Sequence, residues 1–137
     1  MPDADDLTDL ADRLALHELV ARHGHCVDAG DLAGLDQVFT DDVLYDVSAL
    51  GGEPLIGLAA IEEAARALGD RNPVAHHVTN VVVDLTPDRA SIVSKGLGVT
   101  TDGRVGSVVY EDVAVRTEAG WRIARRIVHP RRTPLQP

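Results

Sequence analysis

Asp28, His77 and Tyr45 are the residues of this chain whose types and spacing could move protons. A carboxylate beside an imidazole fixes which ring nitrogen carries the proton and leaves the other free as a base or acid near neutral pH. Such a pair could take a proton from a carbon next to a carbonyl and return it to a leaving hydroxyl. Under strict period two, His77, Thr79, Val81 and Val83 share one strand face, while His76, Val78, Asn80 and Val82 share the other. One of the two adjacent histidines therefore points inward. If it is His77, it can meet Asp28, and Tyr45 could add a hydrogen bond to a substrate oxygen, a strong effect where water is excluded. The same residues have structural uses. Asp28 could cap a helix or pair with Arg22, Arg125 or Arg126, His77 could be a core histidine bonded to backbone, and Tyr45 could simply pack.

Other chemistries find less support. His23 and His25 are two apart on a helix and diverge, His76 and His77 diverge on a strand, and no His-x-x-x-His pair exists, so a metal site is not indicated. No serine lies in a Gly-x-Ser-x-Gly elbow, and the single Cys26 reads as a small core residue. Gly51-Gly52 leads into Glu53-Pro54 and not into a phosphate-binding helix start.

The elements that must position these groups follow from periodicity. A helix is expected over Leu7–Asp31, with Leu7, Leu10, Leu14, His17, Ala21, Gly24 and Asp28 on one stripe. Leu16, Leu19, Val20, His23 and Val27 form a second apolar set on the opposite side, so most of this helix should be wrapped by protein. Gly30 and Asp31 stop it and cap a short helix over 32–39. A strand over 43–47 carries Val43, Tyr45 and Val47 on one face, and a helix over 57–68 ends at Gly69. From Asn72 onward the period is two. Strands are expected over 75–85, 90–101, 105–117 and 120–128, joined by short links that imply antiparallel hairpins. Trp121, the one tryptophan, belongs to the core.

With 137 residues the chain is long enough for one domain and short for two. We expect an acidic, disordered lead-in over residues 1–6, one domain over 7–132 and a tail over 133–137. The start has neither the basic nor the apolar segment of a secretory signal, and one cysteine fits a reducing compartment, so a cytoplasmic protein is expected. A net charge of -9 argues against nucleic acid and anionic membrane as partners. Arg122, Arg125, Arg126, Arg131 and Arg132 should be solvated or paired within the chain.

The run Asp28-Ala29-Gly30-Asp31-Leu32, then Asp41-Asp42-Val43-Leu44-Tyr45, Gly57 opening a helix, His76 to Val83, Gly120-Trp121-Arg122-Ile123 and Pro130-Arg131-Arg132 resembles the SnoaL-like members of the NTF2-like superfamily. The likeness is nearest the branch with scytalone dehydratase and the bile acid 7α-dehydratases. It implies an α+β fold, a cone-shaped barrel of helices packed into a strongly curved, mostly antiparallel sheet. It also implies an apolar pocket, no metal, no organic cofactor and a homodimer formed through the sheet. By position, the Asp and His of the dehydratase pair match Asp28 and His77. Val27 and Val47 stand where that pattern has tyrosines, and its second histidine has no counterpart in 90–101. The expected site is thus Asp28, His77 and Tyr45, with Val27, Val47, Leu14, Phe39, Thr79 and Tyr110 around a small apolar, cyclic or polyketide-like molecule. A dehydratase, isomerase or cyclase is the first expectation. A non-catalytic binder of small hydrophobic molecules, a dimeric partner protein or an epoxide hydrolase is the alternative, the last recruiting Asn80, Asp46 or Asp112. Fold alone does not choose among them.

Overall fold

A computed structural model describes residues 1–136. Helix α1 (Ala4–Asp28) is followed by strand β1 (Phe39–Asp46), the short strand β2 (Leu55–Ile56) and helix α2 (Leu58–Leu68). Strands β3 (Ala75–Leu85), β4 (Arg89–Val99), β5 (Val105–Thr117) and β6 (Gly120–Pro130) complete the chain. All six strands form one sheet in the order β2-β1-β6-β5-β4-β3. Its pairings are antiparallel except for β1 with β6, which run parallel. The sheet curves around α1 but its edges, β2 and β3, do not meet, so the barrel expected from the sequence is an unclosed one.

Several boundaries differ from expectation for local reasons. The acidic lead-in does not precede the helix. Asp3 caps it by accepting from the Asp6 N–H, and the Asp6 side chain accepts from the Asp3 N–H in return, so residues 4–6 are already helical. The segment after α1 is a single 3-10 turn, Ala33–Gln37, and Phe39 has already joined the sheet. Of the tail expected over 133–137, Pro137 lies outside the described residues.

The two apolar sides of α1 are not equivalent. Leu16, Leu19, Val20, His23, Gly24 and Cys26 are buried, whereas Leu7, Leu10 and Leu14 are exposed. The second set thus faces the sheet, and the first meets it only at its end, where Gly24 and Asp28 lie against β3. Asp12 fixes this orientation by accepting from both Arg116 Nη2 (2.7 Å) and Trp121 Nε1 (3.0 Å), tying the helix to β5 and β6. The core runs from Leu16, Leu19 and Val20 through Leu35, Val38, Phe39 and Val43 to Ile92, Ala114, Trp121 and Ile123.

Besides a register shift in β1 between Phe39 and Leu44, two bulges reverse the alternation of buried positions. In β3 the register against β4 shifts between Thr79 and Val82, where Asn80 adopts a left-handed φ of 56°. The extra residue reverses which positions face in: His76 and Val78 before it, Val81, Val83 and Leu85 after it. In β6 the register shifts between the partners of Val113 and Ala114, passing over Ala124. Trp121 and Ile123 are buried before it, Arg126 and Val128 after it.

Candidate active site

Asp28 is the last residue of α1, and β3 crosses directly beside it. The approach is close because residue 24, one turn earlier, is glycine: a Cβ there would lie 2.7 Å from the His76 carbonyl oxygen. Asp28 Oδ2 accepts from the His76 backbone N–H at 3.0 Å, and Oδ1 lies 2.6 Å from His76 Nδ1. A carboxylate is an acceptor, so Nδ1 carries the proton and Nε2 is left as the lone-pair nitrogen. The partner of Asp28 is therefore His76 and not His77. The β3 bulge is the reason, because counting back by twos from the apolar Val81 and Val83 selects His77, while the extra residue turns His77 and Thr79 outward, where both are exposed.

His76 forms part of the wall of a cavity of about 560 Å³ between α2, the end of α1 and the inner sheet face. Ile61, Ala64, Ala65 and Leu68 of α2 line one side; Tyr45, Val47, Val108, Tyr110 and Val128 line the sheet side; His23 and Val27 come from α1. Of the expected site, Tyr45, Val27, Val47 and Tyr110 are on this wall. Leu14 is not: it is 63% exposed, on the side of α1 turned from the sheet. Thr79 lies on the outer face. Phe39 belongs to the layer behind the cavity, edge-on to His23 at 5.5 Å and to Tyr45 at 5.7 Å.

Behind the cavity wall, against Tyr110 and His23, is a charged pair. Arg126 and Asp112 are buried, and Arg126 Nε and Nη2 donate to the two Asp112 carboxylate oxygens at 2.7 and 2.8 Å. The guanidinium also lies over the Tyr110 ring, 4.2 Å from its centroid, and its Nη1 is 3.3 Å from His23 Nδ1. Burial works against the charged form of Arg126, but the Asp112 charge and its two hydrogen bonds outweigh that cost and raise its pKa further. His23 behaves oppositely. Burial, then the charge of Arg126, hold it well below its usual 6.5, so it is neutral. Tyr45 is pushed up to about 12 by burial, partly opposed by Arg126, and keeps its hydroxyl proton.

His76, His23 and the Arg126–Asp112 pair are the site residues that sequence reasoning missed. His23 had a signal, since it sits within the apolar set Leu16, Leu19, Val20 and Val27. Arg126 had none, because alternation from Trp121 puts it outside and only the bulge at Ala124 turns it in. The acids and amide that an epoxide hydrolase would gather are scattered: Asn80 is on the outer face, Asp46 holds Ser48, and Asp112 is committed to Arg126.

Two helices and a curved, unclosed six-strand sheet, with the N-terminal helix packed on the sheet, form a cystatin-like NTF2 fold. The SnoaL-like domain family model matches residues 8–127, and the chain belongs to that family. An uncharacterized protein of Mycobacterium tuberculosis is 30% identical over 127 residues, covering 88% of this chain and 86% of its own. An NTF2-like protein with a cystatin-like fold from Novosphingobium aromaticivorans is 30% identical, with a TM-score of 0.76 over 93% of this chain and 90% of the other. A hexachlorocyclohexane dehydrochlorinase superimposes with a TM-score of 0.78 over 96% of this chain and 93% of the other. At 21% identity this last likeness establishes the fold alone. No helix among the described residues is long and apolar enough to cross a membrane.

Proposed function

We propose that this chain is a small acid/base enzyme, a carbon-oxygen lyase or an isomerase, acting on a neutral apolar ring compound in the cavity with Asp28 and His76 as its proton-transfer pair. The observation that carries this reading is the 2.6 Å contact of Asp28 with the Nδ1 of a histidine on the wall of a mostly apolar cavity. Asp28 holds the ring through both Nδ1 and the backbone N–H, so the imidazole is oriented before substrate arrives. His76 Nε2 takes a proton from the carbon next to a carbonyl. The imidazolium is stabilised by Asp28 and returns the proton to a departing hydroxyl in a lyase, or to another carbon in an isomerase. Tyr45, protonated throughout the working pH range, supplies an O–H at the same wall.

The test is exchange of the carbon-bound protons next to the carbonyl of 1-tetralone for solvent deuterium, followed by NMR, and release of water from cyclic 3-hydroxyketones, followed by enone absorbance. His76→Ala and Asp28→Asn should each slow both by about 100-fold or more, while His77→Ala leaves them unchanged. Equal rates in wild type and His76→Ala would reject the assignment. On the outer face, Val82, Val93 and Leu97 are exposed across neighbouring strands β3 and β4. A homodimer through this face would cover them, and light scattering reads it directly against the 14.6 kDa chain.

A further inference from the structure

His23 takes no part in the proton transfer described above, yet it shares the cavity wall with His76, the two ring centroids lying 6.3 Å apart. Its Nδ1 is 3.3 Å from Arg126 Nη1. A guanidinium has only donors, so His23 Nδ1 accepts and the ring proton must sit on Nε2. Arg126 cannot yield this role, because both oxygens of Asp112 hold it in place and keep it charged. The two imidazoles therefore carry opposite tautomers. Asp28 leaves His76 with a bare Nε2, a base; Arg126 leaves His23 with an Nε2–H, a donor. His23 is only 5% exposed, and what it shows is turned to the cavity it lines.

We propose that His23 is a further catalytic residue of this site, a neutral hydrogen-bond donor to the oxygen of a carbonyl substrate. The inference rests on the Asp28–His76 reading and narrows its substrates to neutral cyclic ketones. As His76 Nε2 takes the proton, the carbon–hydrogen electron pair becomes the carbon–carbon π bond of an enolate and the carbonyl π pair moves onto oxygen. His23 Nε2–H meets that developing charge. When the oxygen pair re-forms the carbonyl, the β-hydroxyl departs with the proton held by His76, leaving an enone and water. The charge on Arg126 is already met by Asp112, and among the described residues no Lys or Arg lines the cavity to meet an anionic substrate. A ring compound with no acceptor oxygen would leave the buried N–H unpaired, a mismatch that sites of this kind discriminate against.

The first measurement is nitrogen NMR of the histidine rings in the wild-type protein, with His23 assigned by comparison with His23→Gln. The proton is expected on Nε2, unchanged between about pH 5 and 8. A proton on Nδ1, or a doubly protonated ring, overturns the proposal. The second is the infrared carbonyl stretch of 1-tetralone labelled with carbon-13 at the carbonyl. It should shift to lower frequency on binding wild type, lose that shift in His23→Phe and regain part of it in His23→Gln. Affinity for 1-tetralone should fall roughly 3- to 10-fold in His23→Phe, with that for tetralin, which lacks the oxygen, unchanged. No shift in the wild type, or equal losses for the two compounds, overturns the proposal. Asp28→Asn separates this from the dyad: it should abolish deuterium exchange and leave the carbonyl shift intact. A wild type that shifts the carbonyl but never exchanges its neighbouring protons rejects the dyad and the catalytic role of His23 together.

Discussion

At the scale of single residues, the pairing of Asp28 with His76 depends on Gly24. A Cβ at residue 24 would sit 2.7 Å from the His76 carbonyl oxygen and 3.2 Å from its Cβ, closer than the roughly 3.5 Å at which such atoms rest. The obstruction is mostly main chain, so it cannot swing away as the tip of a long side chain would. Gly24→Ala should therefore push β3 off α1 just where Asp28 binds the His76 N–H and ring. We expect a loss of about 1–3 kcal/mol in stability, typical of overpacking, and a fall of at least about 10-fold in proton exchange, since small misplacements at a reacting group are costly. Urea unfolding and the 1-tetralone assay measure the two. Unchanged exchange in a folded Gly24→Ala protein would mean that the contact tolerates a shift of β3. By contrast, a Cβ at Gly30 would meet nothing within 4 Å; there the demand is conformational, a φ of +71° at the end of α1.

At the scale of elements, the two bulges explain what could and could not be read from the chain. Helix α2, the four long strands and their hairpins follow from apolar spacing and turn residues, because each is decided within a window of a dozen residues. The site depends on parity along β3 and β6, and parity is set by Asn80 and Ala124, whose effect on strand pairing no local pattern reports. Asp28, Tyr45, Val27, Val47 and Tyr110 were within reach of the sequence since the bulges of β3 and β6 do not reverse their faces. His76 and Arg126 were not. Asn is one of the few residues other than glycine that accepts a positive φ, here 56°. Asn80→Gly should consequently fold with stability near wild type, and Asn80→Val should lose about 1–2 kcal/mol, the left-handed penalty for a side chain with a branched Cβ. If the valine variant matches the glycine variant in thermal unfolding, the bulge is not held by backbone conformation at this residue.

At the scale of the whole molecule, the centre of the fold is organised around a charge that must stay ionised and a histidine that must stay neutral. Arg126 is enclosed by Asp112 on one side, the Tyr110 and Phe39 rings at 4.2 and 5.8 Å, and His23 beyond. His23 in turn faces Arg126 of β6, Tyr45 of β1 and His76 of β3, with Tyr110 and Asp112 of β5 behind the guanidinium. Protonating it would place a second cation against Arg126. Its pKa in the folded protein therefore lies well below 6.5, mainly through burial, while in the unfolded chain it returns to about that value. Below pH 6.5 the unfolded chain binds a proton that the folded protein refuses, so stability rises with pH in this window and falls as the pH is lowered. The limiting slope for one such group is about 1.4 kcal/mol per pH unit. His23→Gln removes the group and keeps a donor. Urea unfolding at about pH 7.5 and pH 5 should show the wild type losing more stability on acidification than the variant, by up to about 2 kcal/mol. Carboxylates that titrate in the same range are common to both proteins and cancel in the comparison. Equal losses would mean that His23 takes up its proton without unfolding, and a charged His23 could not accept from Arg126 or hold the tautomer that makes it a neutral donor.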